Sequence, residues 1–223
     1  MSKVLTVLVP FFNQHEYLDF CLERTGDWME VLVTDFGSDK PPDISAYPWV
    51  DLHVGPAIHG PGAIPAQLNY GVENTEGEVI VWVPADNALN AMQYFPAILN
   101  MLDTYDIIYS DMLYIDDDGK FLGQRVVPDY KFHFCFDSYE LGVSIWYRRD
   151  LHERFGMFDP DFQVHDYEWL LRCAMGGATF YHLPLPYYVY REHTKRPTGS
   201  WEPEREKVML EQSALLSKRA KEF

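Results

Sequence analysis

Apolar positions along this chain fall into runs that change period in a regular way. Val4 to Val9 (Val-Leu-Thr-Val-Leu-Val) is almost continuously apolar and is closed by Pro10. A run without alternation predicts a strand covered on both faces, the habit of a central parallel sheet. A helical stripe follows at Leu18, Cys21 and Leu22. Asn13 is placed to cap it, with Glu16 three residues on, and Gly26 ends it. Val31-Leu32-Val33-Thr34 predicts a second strand, delivering Asp35-Phe36-Gly37-Ser38-Asp39 to the carboxyl edge of the sheet, where α/β folds bind ligands. Lys40 to Gly62 is rich in Pro and Gly and reads as loop around a short strand at Leu52 to Val54. A helix beginning at Pro61-Gly62-Ala63 buries Ile64, Leu68 and Val72 and ends by Gly77. Glu78 to Val83 is the next core strand and runs into Pro84-Ala85-Asp86-Asn87. The order β-α-β-β-α-β predicts a Rossmann-like half.

Beyond a helix around Tyr94 to Asp103 the pattern becomes mixed. Ile107 to Ile115 and Phe121 to Val127 flank Asp116-Asp117-Asp118-Gly119, a hairpin turn. Val143 to Tyr147 reads as a strand and Asp150 to Phe155 as a short helix. Asp166 opens a helical pattern with Trp169, Leu170 and Cys173 on one face, stopped by Gly176-Gly177. A carboxylate there is either a cap at the positive end of the helix dipole or a base beside a cleft. Two short aromatic runs end in Tyr190-Arg191-Glu192-His193. Ser200 precedes a polar helix with Glu202 and Glu204 in its first turn and Lys218, Arg219 and Lys221 at its end, the charge order a helix dipole favours.

Composition narrows the function. The 223 residues are 47% hydrophobic and 16% aromatic, which fits a globular chain rather than a disordered one. The reading is one α/β domain over 1–223: a Rossmann-like half at 1–90, a mixed α+β half at 91–200, and a C-terminal helix at 201–223. No apolar run approaches a membrane span, and the N-terminus lacks the pattern of a secretory signal, so the expectation is a cytoplasmic protein with no integral membrane segment. Cys21, Cys135 and Cys173 have neither disulfide-framework nor zinc spacing. A net charge of -16 argues against a nucleic-acid backbone as partner, but not against a nucleotide. Nothing in the sequence sets the oligomeric state.

Five motifs in order resemble family 2 glycosyltransferases of the GT-A fold, over roughly residues 3 to 195. Val7-Leu8-Val9-Pro10-Phe11-Phe12-Asn13 is similar to that family's opening strand and turn, and Val33-Thr34-Asp35-Phe36-Gly37-Ser38 to its strand followed by Asp-Asp-Gly-Ser. Asn69-Tyr70-Gly71 with Glu76-Gly77-Glu78 resembles the helix before its metal strand. Pro84-Ala85-Asp86-Asn87 sits where the family places Asp-x-Asp. Gly156 to Arg172 is similar to its Gly-x-Phe-Asp…Glu-Asp…Arg block.

The resemblance implies an inverting transfer of a sugar from a nucleotide donor, UDP-linked, to an acceptor hydroxyl. Pro10, Phe11, Phe12 and Asn13 would frame the base, Asp35 would bind base or ribose, and Asn69 and Ala85 would complete the nucleotide site. Asp86 would ligate Mn²⁺ or Mg²⁺ through the diphosphate, with His193 as a further ligand. Arg191 and Lys195 would face the leaving diphosphate. Asp166 would be the general base. Glu168 lies about 200° further round such a helix. Phe36 replaces the second Asp of Asp-Asp-Gly-Ser, Leu68 stands where an Arg often precedes the Asn, and Pro84 replaces the first Asp of Asp-x-Asp. The Gln-x-x-Arg-Trp motif and membrane helices of processive synthases are absent. A second reading is therefore a catalytically silent GT-A domain that binds a nucleotide-sugar or glycan. A nucleotidyltransferase would need a Gly-rich, Lys- or Arg-bearing loop after the first strand, which this sequence lacks.

Overall fold

The computed structural model describes residues 5–60, 62–90, 92–193 and 203–223. Strands β1 (Leu5–Phe11), β2 (Glu30–Asp35), β3 (Val50–Val54) and β4 (Val79–Trp82) form the parallel part of the sheet, in the order β3-β2-β1-β4. Every residue of β1 and β4 is buried, as their unbroken apolar runs require. Helix α1 (His15–Leu22) connects β1 to β2. Helix α2 (Ala63–Glu73) packs on β1 and β2. A Cβ on Gly71 would stand 2.6 Å from Leu8 Cδ2, so only glycine permits this approach of α2 to β1.

The second half adds β5 (Ala88–Leu89), α3 (Phe95–Leu102), β6 (Ile107–Ile115), β7 (Phe121–Arg125), α4 (Phe132–Phe136), β8 (Ile145–Arg148), α5 (Leu151–Phe155), α6 (His165–Met175), β9 (Phe180–Arg191) and α7 (Pro203–Glu222). Its strands extend the sheet as β4-β8-β6-β9-β5, with β7 on β6. The two aromatic runs are thus one strand. Pro184 lacks a ladder donor, and the register on β6 jumps from Ser110↔Leu183 to Asp111↔Pro186, passing Pro184 and Leu185. Helix α4 and the two-residue β5 have no counterpart in the sequence pattern. Helix α7 packs on α4 and α6, burying Leu216 and Ala220. Its Gln212 accepts from the Gln163 N–H and donates to the Asp161 carbonyl, both at 2.8 Å. Ser200 and Glu202 lie outside the described residues.

Two expected caps are corrected. Gln14, not Asn13, occupies the cap position of α1, and Val164 that of α6; neither helix start has a side-chain cap bond. Asn13 instead adopts a left-handed backbone (φ 52°) and exchanges hydrogen bonds with Asp39, tying the loop after β1 to the loop after β2. All three cysteines are buried free thiols. Among the described residues, no helix is long and apolar enough to cross a membrane.

Candidate functional site

The carboxyl ends of β1 and β4 and the start of α6 open onto one cavity of about 220 Å³. Pro10, Phe11, Phe12, Gln14, Asp86 and Asp166 are among its lining residues. Phe11 is fully buried, with its ring edge-on to His15 and its N–H donated to Gln67 Oε1 at 3.1 Å; Phe12 is 43% exposed. Asp35 ends β2 directly opposite Phe11, so it shares the carboxyl edge. It is buried, and its Oδ1 accepts the Ser38 N–H at 3.0 Å, the local bond of a turn aspartate. Phe36 is also buried, edge-on to His53 and Tyr70, which stack on each other at 3.8 Å. An aromatic cluster thus occupies the place of a second acidic side chain.

Asp86 is the polar centre of the β4 side. Its Oδ2 accepts from Gln14 Nε2 at 2.8 Å and lies 3.0 Å from His193 Nε2. Its Oδ1 is buried and has no hydrogen-bond partner among the described residues. A buried carboxylate oxygen left unsatisfied beside an imidazole fits the hard-donor chemistry of Mg²⁺ or Mn²⁺. Among the described residues no group of three or more His, Cys, Asp or Glu side chains is arranged for a metal. Tyr188, 0% exposed, lines the same cavity, and burial followed by the nearby Asp86 charge holds its phenol well above the usual tyrosine range.

Asp166 stands at the second position of α6 and is half-buried. Its Oδ2 lies 3.1 Å from Tyr139 OH, whose single proton is shared between Asp166 and the Gly142 carbonyl at 2.9 Å. Burial first, and then the Asp166 charge, raises the Tyr139 phenol well above its ordinary value, so the phenol keeps its proton and acts as donor. Glu168 is spent differently: both its oxygens hold Arg172, at 2.9 and 2.7 Å, and Arg172 reaches on to the carbonyls of Phe155 and Met157. Glu168 and Arg172 therefore brace the loop before α6, and Asp166 is the carboxylate that faces the cavity.

Three residues expected at the nucleotide site make protein contacts in this structure. Asn69 gives both ends of its amide to Phe158, donating to its carbonyl at 2.8 Å and accepting its N–H at 3.0 Å. It joins α2 to the Gly156-Met157-Phe158-Asp159 loop instead of the cavity. Arg191 is buried across Tyr17 and Phe20 and donates to the backbone carbonyls of Asp86, Asp116 and Asp117, so it locks the hairpin turn onto the sheet. Ala85 is buried with its N–H 3.4 Å from the Pro10 carbonyl, continuing the ladder. Lys195 lies outside the described residues. Asn87 Oδ1 accepts the Arg191 N–H at 2.9 Å, so that oxygen too is engaged. Sequence reasoning missed Gln14, Tyr139 and Tyr188. Only Gln14 carried a signal, its place beside Asn13 at a helix start.

No family model matches the chain. It is 25% identical over 199 residues to an uncharacterized glycosyltransferase of Rickettsia typhi, covering 81% of this chain and 62% of that protein. It is 30% identical over 137 residues to an uncharacterized glycosyltransferase of Rickettsia felis, covering 56% of this chain and 22% of the relative. Among solved structures it superposes on S. aureus TarS residues 1–349 in complex with UDP-GlcNAc, with a TM-score of 0.71 at 18% identity, over 94% of this chain and 64% of that one. The same TarS segment in complex with UDP gives 0.66 at 19% identity, over 87% of this chain and 61% of that one. The chain thus spans less than two thirds of each of these proteins. Its fold is the α/β, glycosyltransferase family 2-like GT-A fold.

Proposed function

We propose that this chain is an inverting glycosyltransferase that moves one sugar from a UDP-linked donor to an acceptor hydroxyl. Asp166 is the general base, and Asp86 with His193 holds Mn²⁺ or Mg²⁺. The observation that carries this reading is that Asp86 and Asp166, from opposite halves of the chain, line one cavity. The glycosyltransferase name of the Rickettsia typhi relative supports the reaction class, and the UDP-GlcNAc and UDP bound to TarS support the donor class.

Pro10, Phe11 and Phe12 would offer the donor an apolar edge, and Gln14 fixes the Asp86 carboxylate beside them. A bound divalent cation would offset the charge of the departing diphosphate. Tyr139 holds Asp166 so that it can take the acceptor proton. The acceptor oxygen then forms its bond to the anomeric carbon as the bond to the diphosphate oxygen breaks, and the electron pair leaves with the nucleotide. Attack from the face opposite the nucleotide inverts the anomeric centre.

A second reading rests on a specific observation. Pro84 and the buried Phe36 remove two acidic side chains from the donor edge, which favours a domain that binds a nucleotide-sugar without turning it over. UDP calorimetry with Mn²⁺ or with EDTA, paired with proton NMR of UDP-sugar turnover, separates the two. The expected result is metal-enhanced UDP affinity and a product anomer opposite to that of the donor. Retained configuration ends the inverting mechanism; tight donor binding without turnover selects the binding module.

A further inference from the structure

Strand β7 forms an edge of the sheet. Among the described residues it pairs with β6 alone, so alternate N–H and C=O groups on its outer side have no strand partner. Leu122, Gln124 and Val126 are exposed, and Gly123 and Arg125 between them are half-buried. Phe121, Leu122 and Val126 are 60%, 51% and 70% exposed, an apolar surface on an open edge. We propose that a second copy of this chain pairs with this edge, β7 lying antiparallel to its own mate across a two-fold axis at Gln124.

The other ends of the sheet are built differently. β3 carries Asp51 at an exposed position and follows Pro48, and β5 is two residues long; charge, proline and shortness all keep an edge unpaired. From Gly119 to Val127 the chain reads Gly-Lys-Phe-Leu-Gly-Gln-Arg-Val-Val, with no proline and no carboxylate. That composition matters in a chain of net charge -16, because two such copies repel over most of their surface. A self-interface needs a stretch free of acidic side chains, and β7 is one. Its Arg125 is held by Glu140 of the same chain at 3.3 Å.

The order of residues along β7 selects a second copy as the occupant. With the axis at Gln124, Leu122 of each copy stands opposite Val126 of the other, so the exposed apolar positions cover one another twice. Gln124 meets Gln124 and Arg125 meets Gly123, so no like charges are opposed. Pairing stops at Val127, whose N–H is donated to Asp111 Oδ1 at 3.1 Å. The irregular register of β7 on β6 lies at the other end, beside Ile115 and Phe121.

Sedimentation velocity on the full chain from about 1 to 200 µM, the affinity range of a small interface, tests this. The mass should rise from 26.0 kDa toward twice that value. Leu122→Lys combined with Val126→Lys sets like charges across the axis and should weaken association about tenfold or more. Both positions are exposed, so the melting temperature should hold. Gln124→Cys gives a covalent readout that does not depend on the Lys variant. Antiparallel partners have Cα atoms about 5.5 Å apart or less, within disulfide reach. The two facing thiols should lose two protons and two electrons to added copper phenanthroline and form an S–S bond between copies. The native cysteines are buried, so wild-type protein should stay unlinked. A monomer over the whole range, association unchanged in the folded Lys variant, or Gln124→Cys protein that does not link overturns the proposal.

Discussion

Gln14 Nε2 donates a 2.8 Å hydrogen bond to Asp86 Oδ2, joining the start of α1 to the loop after β4. The residue at the cap position of α1 therefore spends its side chain on a carboxylate 72 positions away instead of on its own helix. With His193 Nε2 on the same oxygen, the bond turns Oδ1 into the buried orphan of the cavity.

Removing this brace should loosen any metal held at Asp86. Groups that orient a metal ligand are worth about tenfold or more in metal affinity. Gln14→Ala should therefore reduce the Mn²⁺-dependent gain in UDP affinity by about tenfold, while UDP affinity in EDTA stays near wild type. Calorimetry reads both arms. A full Mn²⁺ effect in Gln14→Ala would show that Asp86 needs no help from α1.

Asn69 gives an opposite expectation for a motif residue. Its amide closes two hydrogen bonds on the Phe158 backbone, so Asn69→Ala should cost about 1–3 kcal/mol of stability through the unpaired groups. The melting temperature should fall by several degrees, at roughly 2–4 °C per kcal/mol for a chain of this size. UDP affinity should change little. A large loss of UDP affinity with an unchanged melting temperature would return Asn69 to the nucleotide site.

These two residues show what sequence can and cannot carry. The unbroken runs that became β1 and β4 state their own environment, because only a strand covered on both faces tolerates them. Asp86 and Asp166 were legible as acidic residues at ends of elements, and both line the cavity. Asn69 and Arg191 were legible as positions, but their partners were not. Amides and guanidinium groups bind whatever backbone the fold brings near, here Phe158 and the Asp116–Asp117 turn. Tyr139 was illegible for a related reason. Its link to Asp166 spans 27 residues and depends on a left-handed backbone that no local pattern announces.

Acid should destabilise the fold before it titrates the ordinary carboxylates. His152 lies under Trp169 and Phe158, with Nδ1 3.3 Å from the Gly156 carbonyl and Nε2 3.0 Å from Tyr147 OH. Burial lowers its pKa from 6.5 to about 4. The unfolded chain then binds the proton more readily than the folded one between these values, so stability is full above pH 6.5 and falls as pH drops toward 4. The loss is roughly 3 kcal/mol for this one group. His165, also lowered by burial, adds to the same trend. Glu30 and Asp106, whose pKa values are lowered too, act in a more acidic window. Denaturant titrations from pH 7.5 to 4 should show the decline for wild type and a flatter curve for His152→Gln; parallel curves would refute the assignment.

Asp166 supports the most direct prediction about the chemistry. Its helix has no side-chain cap bond, and Asp166 accepts from Tyr139 and faces the cavity. Asp166→Asn keeps the size and an oxygen for Tyr139, so its melting temperature and UDP affinity should stay close to wild type. It cannot take a proton, so sugar transfer should fall by roughly 10²-fold or more, the scale of lost general-base catalysis. Tyr139→Phe keeps the base but frees its orientation, and transfer should fall by roughly fivefold, the worth of one hydrogen bond of about 1 kcal/mol. In the double variant Tyr139 has no base left to orient, so its substitution should cost little more than Asp166→Asn alone. Additive losses would separate the two residues, and near-normal transfer in Asp166→Asn would assign the base elsewhere.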